Sequence, residues 1–136
     1  MPTSAPAVSR RPLVLLVDDD HAARLVIVRA LSTEGYDTLI AGSGEAATTM
    51  LRGLRMPPDM IIADLRMGRM GGEELAEWLA QHAPAVPVVF VSGQAGLLES
   101  SPIRRHALRK PFTGAELLAA VQRVLQAHSY RTRRSG

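Results

Sequence analysis

The chain has 136 residues, with 16 Lys+Arg against 13 Asp+Glu and a formal net charge of +3. That length builds one domain with a real core and little more. The absence of cysteine excludes disulfides, thiolate zinc sites and thiol catalysis, and the longest apolar run is far too short to cross a bilayer.

Residues 1–12, with Pro2, Pro6 and Pro12 among Ser, Thr and Ala, read as a disordered lead-in. No apolar stretch precedes Leu13, so no secretory signal is expected and the cytoplasm is the expected compartment. Leu13 to Val17 reads as a strand. A helix follows from about His21 to Glu34, with Asp20 as N-cap and Gly35 as its stop. Tyr36 to Ala41 is a second strand, and Ser43 caps a helix through about Arg52. Pro57-Pro58 breaks the chain before a third strand, Met60 to Ala63. Gly71-Gly72 precedes a helix from Glu73 to about His82, whose Leu75, Trp78 and Leu79 fall at helical spacing. Pro84 and Pro87 lead into a fourth strand, Val88 to Val91. Any helix between Gly93 and Pro102 must be short, and His106 to Arg109 makes a fifth strand. Thr113-x-x-Glu116 is a capping-box pattern. It opens a last helix with Leu117, Leu118, Val121, Val124 and Leu125 on one face. From 129 to 136 a basic, flexible tail is expected. Its Arg131, Arg133 and Arg134 read as a solvated terminus rather than a nucleic-acid or membrane anchor, with no aromatic residues interleaved for stacking on bases.

Strand and helix alternate throughout, and the first, third and fourth strands are nearly all apolar. That combination predicts a doubly wound parallel α/β sheet covered on both faces. In such a sheet, ligands bind outside the carboxyl ends of the strands. Four strands of this chain end in a reactive residue: Asp18-Asp19-Asp20, Asp64, Ser92 and Lys110-Pro111. Each alone has an ordinary explanation, as an acidic turn, a capping aspartate, a turn serine or an exposed lysine. Together they describe a metal-assisted transfer of a phosphoryl group onto a carboxylate. Two carboxylates ~4 Å apart repel by about 4 kcal/mol at an effective dielectric of about 20. A hard divalent cation relieves that repulsion, and magnesium takes oxygen ligands from one or two carboxylates, waters and phosphates.

The motifs Val17-Asp18-Asp19-Asp20, Asp64-Leu65-Arg66-Met67-Gly68-Arg69-Met70-Gly71-Gly72, Val91-Ser92-Gly93 and Lys110-Pro111-Phe112 resemble the receiver domain of bacterial two-component response regulators. The resemblance spans about residues 13–127, with the receiver unit taken as 13–128. It implies a flavodoxin-like sheet of order 2-1-3-4-5 with a short fourth helix. It implies Asp64 as phosphoacceptor, with Ser92 hydrogen-bonding the phosphoryl group and Lys110 pairing with it. It implies Mg2+ held by Asp18, Asp19, Asp64 and the backbone carbonyl of Arg66, and a cis Lys110-Pro111 peptide. The implied partner is a sensor histidine kinase. The implied behaviour is that of a stand-alone switch, not an enzyme, with no direct DNA or membrane binding; such domains often pair as homodimers.

Several positions depart from the family pattern. Gly68 stands where a proline is usual, Gly71 where an acidic residue is usual, and Ala107 where the fifth strand usually carries an aromatic residue. The shortened segment after Ser92 looks like that of receivers allied to hybrid sensor kinases, so a hybrid-kinase fragment is the first alternative. With no aromatic rotor at Ala107, the expected two-state element is the loop from Ser92 to Pro102. A haloacid-dehalogenase-like phosphatase is the rival from another class; there Asp64 would have no role.

Overall fold

The computed structural model describes residues 11–66, 72–93 and 107–135. Five strands, β1 (Leu13–Val17), β2 (Asp37–Ala41), β3 (Met60–Asp64), β4 (Val88–Ser92) and β5 (Ala107–Arg109), form one parallel sheet of order β2-β1-β3-β4-β5. The helices are α1 (His21–Thr33), α2 (Gly44–Gly53), α3 (Gly72–His82) and α4 (Gly114–Ser135). The order reverses at β1, whose neighbours are β2 and β3. That reversal opens a crevice at the carboxyl ends of β1 and β3.

The strand order accounts for the composition of each strand. Central β1, β3 and β4 are buried almost end to end, whereas edge strands β2 and β5 keep exposed positions. Ile27 and Leu31 of α1 pack with Leu117, Val121 and Val124 of α4 against Val14, Leu16 and Ile62 on one face of the sheet. On the other face, Ala47 of α2 and Leu75 and Leu79 of α3 pack against Leu15, Ile61 and Phe90. Alternate residues of each strand thus feed opposite cores, as the two-residue period of a strand requires.

The helix starts follow their caps. Asp20 Oδ1 accepts from the amides of Ala22 and Ala23, and Ser43 Oγ accepts from Ala46. Thr113 and Glu116 close the capping box in both directions, at 3.1 and 2.9 Å. Gly35, at φ 84, takes the left-handed position that stops α1. Two expected boundaries are corrected. Arg11 and Pro12 belong to the folded unit rather than the lead-in: Pro12 O accepts from Asp37 N, and Arg11 Nε donates to Gly35 O. The residues expected as a flexible tail instead continue α4 to Ser135. No Gly or Pro interrupts the chain between Gly114 and Gly136, and arginine is a good helix former. The rest of the lead-in, Gly68, Gly71 and the stretch expected to hold the short fourth helix and the switching loop lie outside the described residues.

Candidate phosphoacceptor and metal site

Asp18, Asp64, Ser92 and Lys110 arrive at one end of the sheet because each ends or directly follows a parallel strand. Asp18 follows β1, Asp64 closes β3, Ser92 closes β4, and Lys110 follows β5 after donating its amide to Ser92 O at 2.7 Å. Asp18 and Ser92 are fully buried and Asp64 nearly so, while Asp19 is exposed. Polar groups buried this deeply require partners.

The Lys110 ammonium supplies one to each of the two buried carboxylates. Its Nζ lies 2.9 Å from Asp64 Oδ2, 3.1 Å from Asp18 Oδ2 and 3.6 Å from Asp20 Oδ2. The other Asp64 oxygen, Oδ1, accepts from the Arg66 amide at 2.9 Å. Asp18 Oδ1 accepts from the Asp20 amide at 2.8 Å. Burial pulls the Lys110 pKa down, but hydrogen bonds to Asp64 and Asp18, with their charges, outweigh it and hold the ammonium above the ordinary lysine value. Burial pushes the Asp18 carboxyl up, with Asp64 pushing the same way, against the Asp20 amide and Lys110. Asp20 is shifted down, first by the Ala23 amide.

One atom marks what the protein groups leave undone. Asp18 Oδ2 is buried and accepts no hydrogen bond from the described residues, although the Lys110 ammonium stands at ion-pair distance. The two facts agree if Lys110 aims its N–H bonds at Asp64 Oδ2 and Asp18 Oδ1, at 2.9 and 3.4 Å. Asp18 Oδ2 then feels the charge without a directed bond. Asp18, Asp19 and Asp64 can each offer an oxygen within 4.8 Å of the others. Three carboxylates against one ammonium leave the cluster negative, and all its donors are hard oxygens. The residues present therefore fit a divalent cation of the magnesium type.

Matching the chain against protein-family models returns the response regulator receiver domain over residues 14–122. The chain belongs to the response regulator receiver family. Among curated relatives, this receiver is 33% identical over 117 residues to the sensor kinase CckA of Brucella abortus, covering 83% of this chain and 12% of that protein. It is 32% identical over 122 residues to the DNA-binding response regulator MtrA of Mycobacterium tuberculosis, covering 85% of this chain and 51% of that one. The receiver thus spans about half or less of these relatives. Of solved structures, the response regulator receiver protein from Sinorhizobium medicae WSM419 superposes with TM-score 0.76 at 30% identity, covering 87% of this chain and 97% of that one. NtrX from Brucella abortus superposes with TM-score 0.80 at 26% identity, covering 93% of this chain and 29% of that one. The family match sets aside the dehalogenase-like alternative.

Of the site residues named from the sequence, Asp18, Asp19, Asp64 and Lys110 lie together, and Ser92 closes the neighbouring strand at the same end of the sheet. Asp20 stays a helix cap at the rim, outside the metal-competent trio. The Lys110-Pro111 peptide is cis. Arg66 contributes its amide to Asp64. One participant escaped the sequence: Arg24, whose Nε donates to the Asp18 carbonyl at 2.6 Å. Its only signal was position, one turn after Asp20 on the side of α1 that faces the strand ends.

Proposed function

We propose that Asp64 accepts a phosphoryl group from the phosphohistidine of a sensor histidine kinase, and that the resulting aspartyl phosphate switches the contacts the domain makes with a protein partner. The observation that carries this is the buried Asp64 carboxylate, paired at 2.9 Å with Lys110 and with oxygens of Asp18 and Asp19 within 4.8 Å.

Asp64 attacks phosphorus in line. The new O–P bond forms as the N–P bond to the donor histidine breaks, and the histidine nitrogen takes the electron pair. The Arg66 amide holds Asp64 Oδ1, which leaves Oδ2, on the Lys110 side, as the attacking atom. The Lys110 ammonium moves from neutralising that carboxylate to neutralising the phosphoryl oxygens, without being recruited from solvent. Ser92, at the end of the neighbouring strand, hydrogen-bonds the phosphoryl group. Asp18, Asp19, Asp64 and the Arg66 carbonyl would hold Mg2+, which supplies electrostatic stabilisation of the transferring phosphoryl oxygens. Positioning and charge thus do most of the work, and the domain acts as a switch rather than on an external substrate. In this reading the domain works in the cytoplasm, and its output is a protein contact, with a homodimer among the forms it takes, and no direct DNA contact. No helix among the described residues is long and apolar enough to cross a membrane.

Incubation with acetyl phosphate and MgCl2, followed by intact mass, tests the chemistry. A phosphoryl-sized gain is expected, lost in Asp64→Asn and on chelation of magnesium. Borohydride reduction should then place the acyl phosphate on Asp64. A gain that survives Asp64→Asn, or that maps to Asp18, Asp19 or Asp20, would overturn the assignment.

A further inference from the structure

The Asp18-Asp19-Asp20 turn sets adjacent carboxylates side by side between β1 and α1, where they repel. Its shape must come from elsewhere. The Asp18 amide donates to Ala41 O at the end of β2, at 3.2 Å. The Asp18 carbonyl accepts from Arg24 Nε at 2.6 Å. Arg24 is itself locked into α1, its amide donating to Asp20 O at 3.0 Å. The carbonyl of Asp18 lies in the same rigid plane as the amide of Asp19. Holding that oxygen therefore fixes the direction in which the chain enters Asp19, and so where the Asp19 carboxylate can reach.

A second position shows that the fold makes room for this contact. Gly42 follows β2 and is exposed. Among the described glycines only Gly35 has positive φ, so the backbone at Gly42 does not call for glycine. A Cβ added there would stand 3.2 Å from Arg24 Nη2, tighter than ordinary contact. The guanidinium thus lies against the bare face of Gly42 while its Nε holds the Asp18 carbonyl.

We infer that Arg24, seated against Gly42, is a positioning residue that sets the Asp18-Asp19 peptide so that their carboxylates converge on a divalent cation. The inference rests on the metal reading of the site given above. It runs against the first expectation from charge. A guanidinium near the carboxylates repels a cation, so by charge alone its removal would tighten metal binding. By positioning, its removal loosens binding, because the carboxylates must then be ordered at the moment the metal arrives.

Calorimetric titration of MgCl2 into the full chain separates the two. Arg24→Met should bind Mg2+ about tenfold more weakly than the unmodified chain. Arg24→Lys, which keeps the charge but not the forked guanidinium, should lose nearly as much. Gly42→Ala, which only nudges the guanidinium, should lose about threefold. The double variant should bind no more weakly than Arg24→Met alone, because both substitutions act through one contact. Equal or tighter binding in Arg24→Met, or additive losses in the double variant, would overturn the inference. A metal-free measurement stands beside it. The Asp20 amide, bonded to Asp18 Oδ1, should exchange with solvent several-fold faster in Arg24→Met, by NMR, while amides of β3 keep their rates. An unchanged Asp20 rate would overturn the inference whether or not the chain binds Mg2+. Failure of Asp64 to take up phosphoryl would leave both readouts intact.

Discussion

The middles of the central strands and their carboxyl ends are buried to the same depth, yet they act on the fold in opposite directions. Ile61, Ile62 and Ala63 are fully buried, and Asp64, the next residue of the same strand, is 5% exposed. Each large aliphatic side chain contributes roughly 1.5–3 kcal/mol by leaving water. Asp64 and Asp18 instead lose hydration of a charge, and among the described residues Lys110 and two backbone amides offset the loss. The strand middles thus supply the stability that the strand ends consume. The site's chemistry is thus built from buried charges that work against folding, and a bound cation would change the sign of their contribution.

Breaking the favourable side of that comparison should give the largest effect. Ile62→Ala removes a buried side chain from the core between the sheet, α1 and α4. It should cost about 2–5 kcal/mol in denaturant unfolding while leaving Mg2+ affinity of the folded fraction within about twofold. A comparable loss of metal affinity would show that the two regions are not separable.

The next effect should come from the cation. At a Mg2+ concentration of about 100 times its Kd, linkage adds about 2.7 kcal/mol to stability. A thermal melt with and without MgCl2 reads this directly, and Asp19→Ala should remove most of the gain. An undiminished gain in that variant would place the bound ion elsewhere.

In the metal-free chain the buried carboxylate itself should be a liability. Asp18→Asn keeps an oxygen for the Asp20 amide and removes a charge that burial and Asp64 disfavour. At neutral pH it should stabilise the metal-free protein by on the order of 1 to 2 kcal/mol and abolish the response to Mg2+. The sign of the pH dependence follows from the raised Asp18 pKa. Folded Asp18 holds its proton above the unfolded value of 3.8, so its cost to stability builds as pH rises above 3.8 and is complete once pH exceeds its folded pKa. The gain from Asp18→Asn should therefore fade as pH falls towards 3.8. A gain that grows with acid would contradict the cause assigned.

The smallest effect should be at the rim. Asp20→Ala removes the N-cap of α1, with a cost of about 1 kcal/mol, and should weaken Mg2+ binding less than Asp19→Ala. Because the Asp20 pKa is lowered, that stabilisation is present above 3.8 and is lost as pH falls through the folded value. Equal metal loss in the two variants would make Asp20 a ligand.

Much of this protein was legible in the amino-acid order alone. Apolar runs of strand length, caps at Asp20, Ser43 and Thr113, and the stop at Gly35 are local signals, because each rests on hydrogen bonds or steric limits within a few residues. The reactive residues were legible for a related reason: in a parallel sheet every strand delivers its last residue to the same edge. The sequence could not show how the charges would be shared there. That Lys110 faces Asp18 and Asp20 as well as Asp64, that Asp18 Oδ2 is left without a hydrogen bond from the described residues, and that Arg24 reaches the Asp18 carbonyl past Gly42 all depend on side chains from different elements meeting in space. Such contacts have no sequence period. They arise only once β2, β1, β3, β4 and β5 lie side by side and close packing determines which donor reaches which oxygen.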